Sequence, residues 1–268
     1  MKPFIVVNQM IRSFLVVSIG MMLFSCNYIN GHTISGSGKV VKQERPVSSF
    51  NRLDIAVPLN VVIIPSKQSR VVVEIDDNLQ SYVTVVSDGS LLSISVPNNT
   101  NFSTKVKGEI DVYVDSLTVL NNHSVGMLTM QDTLHTTYFA LDNHAVGKTD
   151  LQVEAKVISV NNHSVGRLNL YLQADSLSLD NHSVGETLLS GKCSEASMNN
   201  HSVGNFDAKL FFCQVVHLTN SAVGGASIRA SQAFYVKNSG IGGLILYGKG
   251  QLEELSDSGI SKTRRADN

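Results

Sequence analysis

The sequence contains few charged residues and no tryptophan. Charged residues make up 16% of its 268 positions, and 21 Lys and Arg against 22 Asp and Glu leave a formal net charge of −1. This balance excludes the strongly basic surface on which nucleic-acid binding depends. The one basic cluster lies at residues 262–265, and we expect residues 262–268 to form a solvated tail. Small polar and β-branched residues recur throughout, which favours sheet-rich structure.

The sequence also lacks an N-terminal apolar run long enough to span a membrane as a helix. The apolar stretch at residues 13–24 has 12 residues, whereas a transmembrane helix needs about 20. Lys2 and Arg12 precede this stretch and Ser25 closes it, which is the plan of a cleaved signal peptide. We therefore expect residues 1–25 to be a signal peptide and the mature chain to be exported to the cell envelope.

The end of this segment, Leu-Phe-Ser-Cys at residues 23–26, resembles a bacterial lipobox, in which the cysteine carries acyl chains after cleavage. The alternative is an ordinary secretory signal with a chance cysteine, because Ser25 also suits a small-residue cut. On the lipobox interpretation, Cys26 attaches the protein to the outer membrane, on its surface-exposed or its periplasmic face. Residues 26–48 would then form a tether between the lipid and the fold.

One five-residue phrase, Asn-His-Ser-Val-Gly in its commonest form, returns along the chain about every 19 residues. The first residues of its eight copies are Asn122, Asn143, Asn162, Asn181, Asn200, Asn220, Asn238 and Asp257. This period is too short for a pair of helices and fits one coil of a β-solenoid. The sequence therefore predicts an all-β fold, a right-handed parallel β-helix, with residues 115–261 as its repetitive part.

Equivalent positions of successive coils stack into columns, and two of these columns are apolar throughout. The column two positions before the phrase contains Leu120, Leu141, Val160, Leu179, Met198, Leu218, Val236 and Leu255. The fourth position of the phrase contains Val125, Val146, Val165, Val184, Val203, Val223, Ile241 and Ile260. We expect both columns to face the core, where each buried side chain contributes about 1.5–3 kcal/mol before ordering entropy is subtracted.

The asparagine that begins each phrase is also expected to point inward. A buried amide needs hydrogen-bond partners, and the asparagine of the next coil, about 4.8 Å away, supplies them. The sequence thus predicts a structural asparagine ladder formed by Asn122, Asn143, Asn162, Asn181, Asn200, Asn220 and Asn238. The glycine of each phrase marks a corner where φ is positive or where two chain segments crowd.

Residues 49–114 contain strand-like runs without the phrase, for example at residues 60–64 and 91–96. End repeats of solenoids are atypical, so we expect this region to form irregular first coils or a cap, which brings the helix to roughly ten or more coils.

Several features outside the phrase occur together. They are a Gly-Lys-Val opening at residues 38–40, Arg-Pro-Val at 45–47, Phe-Asn-Arg-Leu-Asp-Ile at 50–55 and an Asp-Gly-Ser-Leu-Leu turn at 88–92. With the short glycine-containing repeats, residues 38–261 resemble the putative auto-transporter adhesin, head GIN domain family, which is common among lipoproteins of Bacteroides-like bacteria. Many members carry Ser-Gly-Ser-Gly where this chain carries its phrase. The resemblance implies a role in adhesion and supplies no binding residues.

The second position of the phrase is histidine in five consecutive copies: His123, His144, His163, His182 and His201. Stacked coils place these side chains in one file, about 4.8 Å apart. The file could hold a metal ion, with Asp142 or Asp180 of the neighbouring column as a further ligand, or the rings could simply stack and bind nearby carbonyls. Five like charges in file would also repel one another when the rings are protonated. The sequence leaves the metal open and indicates no cofactor.

Cys193 and Cys213 each lie seven residues before a phrase and so share one column in adjacent coils. A spacing of about 4.8 Å permits a disulfide, as does an exported compartment. Two small buried thiols are the alternative, because Ala155 and Ala174 fill this column in earlier coils.

The sequence shows no catalytic pattern. Serine alternates with alanine at the third position of the phrase, and no Gly-x-Ser-x-Gly occurs, which argues against a serine hydrolase. Polysaccharide lyases and glycoside hydrolases also use β-helices and need clustered carboxylates. The candidate acids are scattered, without a signature spacing: Asp115, Asp132, Asp150, Glu154 and Asp175.

These inferences favour a non-enzymatic envelope lipoprotein that binds a glycan or protein ligand along the flank of its β-helix. The alternatives are a carbohydrate-active enzyme on the same scaffold and a purely structural envelope protein. The partners we expect are the membrane, through the lipid anchor, and such a ligand; the ligand's identity and the oligomeric state stay open.

Overall fold

The computed structural model describes residues 32–266. The chain is nearly all β, with 69% strand and 3% helix, and forms a β-solenoid of about eight turns with a repeat of about 19 residues. The strands are β1 His32–Ser35, β2 Val40–Pro46, β3 Arg52–Ala56, β4 Asn60–Pro65, β5 Arg70–Asp76, β6 Thr84–Asp88, β7 Leu91–Ser95, β8 Thr100–Ser103, β9 Glu109–Val114, β10 Val119–Asn122, β11 Val125–Met130, β12 Leu134–His135, β13 Tyr138–Asn143, β14 Val146–Asn162, β15 Val165–Asn181, β16 Val184–Asn200, β17 Val203–Asn220, β18 Ala226–Asn238, β19 Leu244–Tyr247, β20 Gln251–Asp257 and β21 Arg264–Arg265. A short 3-10 helix, Asp77–Tyr82, lies between β5 and β6. The predicted fold class is confirmed.

The strands β14 to β17 each wrap nearly a whole coil. Each has 17 or 18 residues and runs from the valine of one phrase to the asparagine of the next. Neighbouring coils pair in parallel in the register of the repeat, so that Asn162 lies opposite Asn181. Backbone hydrogen bonds continue through the corner between strands, as from His163 N to Asn143 O at 2.8 Å. The phrase is therefore a corner that interrupts the strands without interrupting the backbone hydrogen bonding between coils.

The N-terminal region stacks its coils out of chain order. The strands β3 and β4 lie next to β10 and β11, while β7 and β9 lie beyond them. Three other strands, β2, β5 and β6, pair antiparallel with their neighbours. The structure has about eight turns, fewer than the ten or more expected.

The prediction that residues 26–48 form a tether is wrong from His32 onward, where the chain forms paired strands. The strand β2 pairs with β5 along seven positions, from Val40 opposite Asp76 to Pro46 opposite Arg70. The other edge of β5 pairs with β9, so β2 supplies partners for backbone groups that would otherwise form an open edge. The strand β1 pairs in parallel with β8.

The basic tail is also part of the fold. The strand β21 pairs in parallel with β19. The guanidinium of Arg265 donates to Gly248 O at 3.3 Å and to Gly250 O, and it lies 5.6 Å from the ring centre of Phe234. These carbonyl groups belong to the last coils of residues 32–266. The tail is therefore paired with the fold as far as residue 265, and both arginines of β21 are exposed.

Side chains alternate inward and outward without a break through the phrase. The asparagine points inward, the histidine outward, the serine or alanine inward and the valine outward. The prediction of an inward valine column is wrong: its eight residues are between 46% and 77% exposed. It was wrong because period two persists through the corner, so a residue three positions from a buried asparagine must face out.

On both sides of the phrase, the core is filled by positions an even number of residues from the asparagine. The column two positions before the phrase is buried in seven coils, as predicted, and only Leu255 of the last coil is exposed, at 46%. A column six positions after the asparagine is buried as well: Leu128, Thr149, Leu168, Thr187, Phe206, Ala226 and Leu244. The two columns supply a continuous core along the solenoid.

Both explanations offered for the phrase glycine apply. Gly185 has a φ of +134°, a conformation that side-chain-bearing residues avoid. A Cβ built on it would lie 2.0 Å from the carbonyl oxygen of Gly166 in the preceding coil. Only glycine fits at this corner without moving the backbone.

Candidate functional site

The asparagines form one continuous chain of side-chain hydrogen bonds through the core. Each is at most 1% exposed. Each donates from Nδ2 to Oδ1 of the next at 2.8–2.9 Å, from Asn122 to Asn238. Hydroxyl groups add to this, as where Ser183 donates to Asn181 Oδ1 at 2.9 Å. The ladder satisfies the buried amides and leaves none of them accessible to a ligand.

The ladder ends on a carboxylate. Asn238 Nδ2 donates to Asp257 Oδ1 at 3.2 Å. The backbone N–H of Thr263 donates to Asp257 Oδ2 at 2.7 Å and is the main cause that lowers the pKa of Asp257 below its ordinary 3.8. Every amide therefore donates toward the end that carries the negative charge, an arrangement in which hydrogen bonds polarise one another favourably.

The five histidines form a stack on the outward face. Successive ring centres lie 4.9–5.1 Å apart, and the planes differ by 5–19°. Two rings meet an acid of the neighbouring column: His144 Nε2 lies 3.0 Å from Asp142 Oδ1, and His182 Nε2 lies 3.0 Å from Asp180 Oδ1. Both ring side chains are about 40% exposed, so the stack is open to solvent and to ligands.

Among residues 32–266, one group of three side chains has the spacing of metal ligands. The ligand atoms of Asp180, His182 and His201 all lie within 4.8 Å of one another. The same arrangement of residue types occurs at Asp142, His144 and His163, but those three do not come as close together.

A groove of about 870 Å³ runs along another corner of the solenoid. Its floor is a column of small residues, one from each successive coil: Ala155, Ala174, Cys193, Cys213, Ala230 and Gly248. Five steps between coils of about 4.8 Å give it a length of about 24 Å. Small side chains leave the space that larger residues would fill, so the groove follows directly from this column.

The walls of the groove are charged and predominantly basic. Four cationic side chains line it, Lys156, Lys192, Arg229 and Lys249, against two acids, Glu154 and Asp175. Phe212 adds an exposed aromatic ring, and the Arg229 guanidinium lies 4.9 Å from its centre. The groove therefore combines a floor of small residues with charged groups in its walls.

The structure brings two of the five candidate acids together. Glu154 and Asp175 line the groove, whereas Asp150 lines a smaller pocket of about 310 Å³. Asp115 and Asp132 are exposed elsewhere. The two acids lie on adjacent coils, where Asp175 follows Gln173, the register partner of Glu154, by two residues.

The cysteines on the groove floor are buried, free thiols. Cys193 and Cys213 are register partners on β16 and β17. The hydrogen bond between the two thiols, aided by burial, raises the pKa of Cys213 far above its ordinary value, while the same bond lowers the pKa of Cys193. Of the two alternatives left open by the sequence, the structure shows the buried thiols.

Sequence reasoning recognised the column of cysteines and alanines but missed the groove. The available signal was a column of small residues flanked by charged ones in several coils, for example Lys192 and Ser194 around Cys193.

The predicted signal peptide and Cys26 lie outside the described residues. Within the described part of the chain, no helix has the length and apolar character needed to cross a membrane.

The family described as "putative auto-transporter adhesin, head GIN domain" matches residues 49–250. Several solved structures are similar to this chain. A putative adhesin from Bacteroides fragilis is 18% identical with a TM-score of 0.67, covering 87% of this chain and 100% of its own. A putative adhesin from Parabacteroides distasonis is 16% identical with a TM-score of 0.75, covering 88% and 100%.

A third structure, named a putative lipid binding protein, also comes from Parabacteroides distasonis. It is 20% identical with a TM-score of 0.73, and the match covers 88% of this chain and 100% of that one. At these identities the likeness shows a shared fold. A comparison with curated proteins found no match. Because the family match spans about three quarters of the sequence, the chain belongs to the putative auto-transporter adhesin, head GIN domain family.

Proposed function

We propose that this protein is a non-catalytic, lipid-anchored binding protein of the cell envelope that holds an acidic glycan in the groove. The groove itself carries the proposal. It is about 24 Å long at about 4.8 Å per coil, so it suits an extended polymer better than a compact molecule. The family description and the putative adhesins of the same fold support an adhesin-like role.

The chemistry of the walls supports a negatively charged glycan. Four cations against two acids give the groove a local charge of +2 (4 − 2), although the whole chain has a net charge of −1. Lysine and arginine donate hydrogen bonds to carboxylate or sulfate groups. Because donor and acceptor are both charged, these hydrogen bonds are stronger than those between neutral groups. Phe212 offers an aromatic face to the apolar side of a sugar ring.

Binding of a soluble acidic polysaccharide, polygalacturonate, measured by affinity electrophoresis tests this role. Ser194 is an exposed residue on the groove wall, and Ser194→Trp should obstruct the groove and weaken binding at least tenfold. Ser178 is also exposed but lies outside the groove, and Ser178→Trp should bind like the unmodified protein. Equal binding by both variants, or no binding by the unmodified protein, would contradict the proposal.

A second candidate function, a carbohydrate-active enzyme, draws on one observation, the presence of Glu154 and Asp175 in the same groove. Paired carboxylates are the usual catalysts of glycoside hydrolysis. The proposed binding role predicts that prolonged incubation with polygalacturonate releases no new reducing ends. Release of reducing ends that is abolished by Glu154→Gln or Asp175→Asn would favour the enzyme instead.

The lipid anchor at Cys26 is a separate part of the proposal. The residues that support it are the lipobox-like sequence and the short apolar segment before it. Cells fed labelled palmitate should label the protein and retain it in the membrane fraction. The Cys26→Ala variant should carry no label and leave that fraction, whereas an unlabelled wild-type protein would refute the anchor.

A further inference from the structure

The histidine stack is not uniform, and its last pair differs from the others. The ring centres of His182 and His201 are 4.9 Å apart and their planes are tilted by 19°, whereas the other pairs lie at 5.0–5.1 Å with tilts of 5–12°. The stack ends here because Ser221 replaces histidine in the next coil. The hydroxyl of Ser221 forms a hydrogen bond with His201 Nδ1. This contact engages Nδ1 of the ring, so Nε2 is the nitrogen that remains for a ligand among the described residues.

Asp180 contributes an unusual carboxylate oxygen beside this pair. Its Oδ1 is buried and has no hydrogen-bond partner within residues 32–266. His182 Nε2 lies 3.0 Å away, and no hydrogen bond joins the two atoms. The corresponding oxygen of Asp142 accepts a hydrogen bond from Asn161 Nδ2 at 3.2 Å. An acceptor oxygen buried without a donor is costly, and a cation would compensate it.

We propose that Asp180, His182 and His201 bind one zinc ion. Their ligand atoms lie within 4.8 Å of one another. Bonds of about 2.0–2.1 Å in tetrahedral geometry place two ligand atoms about 3.3 Å apart, so the widest pair must close by at most about 1.5 Å. Rotation of the two exposed imidazoles supplies this movement, and Asp180 Oδ1 and His182 Nε2 already lie 3.0 Å apart.

The donor set selects zinc over the common hard cations. Imidazole nitrogen with one carboxylate suits zinc, whereas magnesium and calcium prefer sites built from oxygen alone. Three protein ligands leave the fourth position to water or to a group of a bound partner. The Ser221 hydroxyl serves as the outer contact that orients a ligating histidine. None of the three residues lines the groove, so the site is independent of glycan binding.

The chain contains its own control, because Asp142, His144 and His163 repeat the same residue types without the same geometry. Isothermal titration of metal-stripped protein with zinc chloride at pH 7.5, in excess magnesium, should give one zinc per chain. Asp180→Asn and His201→Ala should each weaken binding at least tenfold. The matched variants Asp142→Asn and His163→Ala should keep the affinity and stoichiometry of the unmodified protein.

A second readout separates a lost ligand from a damaged fold. Zinc should raise the melting temperature of the unmodified protein and of the two control variants, and it should leave Asp180→Asn and His201→Ala unchanged. Without zinc, all five proteins should melt at similar temperatures because the substituted side chains are exposed or half-exposed. The proposal is overturned by an absence of zinc binding, by a stoichiometry above one, or by equal losses in both sets of variants.

Discussion

Substitution of one rung of the asparagine ladder should destabilise the protein strongly. Asn200 is fully buried, donates to Asn220 Oδ1 at 2.8 Å, and accepts from Asn181 Nδ2 at 2.9 Å and from Ser202 Oγ at 2.8 Å. In Asn200→Ala, the amide group of Asn181 loses its acceptor and the oxygen of Asn220 loses its donor. The Ser202 hydroxyl can rotate toward another acceptor.

The two orphaned groups set the size of the effect. Each buried polar group left without a partner costs about 1–3 kcal/mol, so Asn200→Ala should lower the free energy of unfolding by about 2–6 kcal/mol. The total stability of a typical domain is about 5–15 kcal/mol. One substitution should therefore remove a large fraction of it, although asparagine and alanine differ by only a few atoms.

Urea unfolding followed by circular dichroism measures this loss, with Asn199→Ala as the matched control. Asn199 is the neighbouring residue, points outward and is exposed. Its substitution should change the free energy of unfolding by less than about 0.5 kcal/mol. If the two variants unfold at the same urea concentration, the ladder does not stabilise the fold as its hydrogen bonds indicate.

The remaining predictions concern the valine column, the corner and the C-terminal end of the ladder. Val165→Thr should change the free energy of unfolding by less than about 0.5 kcal/mol, because Val165 is 50% exposed. Leu179→Ala removes a buried side chain and should lower the free energy of unfolding by about 2–5 kcal/mol. Equal effects of the two substitutions in urea unfolding would contradict the assigned faces. Gly185→Ala should lower the free energy of unfolding by at least about 1–3 kcal/mol because of the positive φ at this position. Gly243→Ala should leave the free energy of unfolding unchanged, because its Cβ would meet nothing within 4 Å. A Gly185→Ala protein as stable as the unmodified protein would count against the crowded corner. Because the pKa of Asp257 is lowered from its ordinary 3.8, its contribution to stability is present above that pH and is lost as the pH falls through the lower folded value. Asp257→Asn should therefore show a smaller loss of melting temperature on acidification than the unmodified protein, and an unchanged loss would refute this role.

The repeat made most of the fold predictable from the sequence. A phrase that returns about every 19 residues predicts one coil per copy, and alignment of the copies then places Asn162 beside Asn181. The buried leucine column and the ladder follow from the same alignment. This reasoning needs no knowledge of long-range contacts, because each coil contacts its neighbours in sequence.

The orientation of the valine column was harder to predict. Valine is apolar, and eight apolar residues in one column favour burial when hydrophobicity alone is considered. The decisive fact is geometric: strands keep period two through the corner, so Val165 faces out when Asn162 faces in. Strict counting from the asparagine would have given the correct face.

The N-terminal strands were less predictable because they carry no repeat. Nothing in residues 40–46 shows that this strand covers the free edge of β5, since that pairing depends on contacts distant in the chain. The same holds for the candidate sites. Asp142 and Asp180 have equivalent neighbours in sequence. Only the structure shows that Oδ1 of Asp142 has a hydrogen-bond donor and that Oδ1 of Asp180 has none among residues 32–266.

An adhesin must be exposed to whatever it adheres to, so protease treatment of intact cells tests the central claim most directly. The protein is detected by antibody after protease treatment, with and without permeabilisation of the outer membrane, beside a periplasmic control protein. The account predicts that the protein disappears from intact cells while the control remains. Protection of the protein until the membrane is permeabilised would contradict a role in surface adhesion.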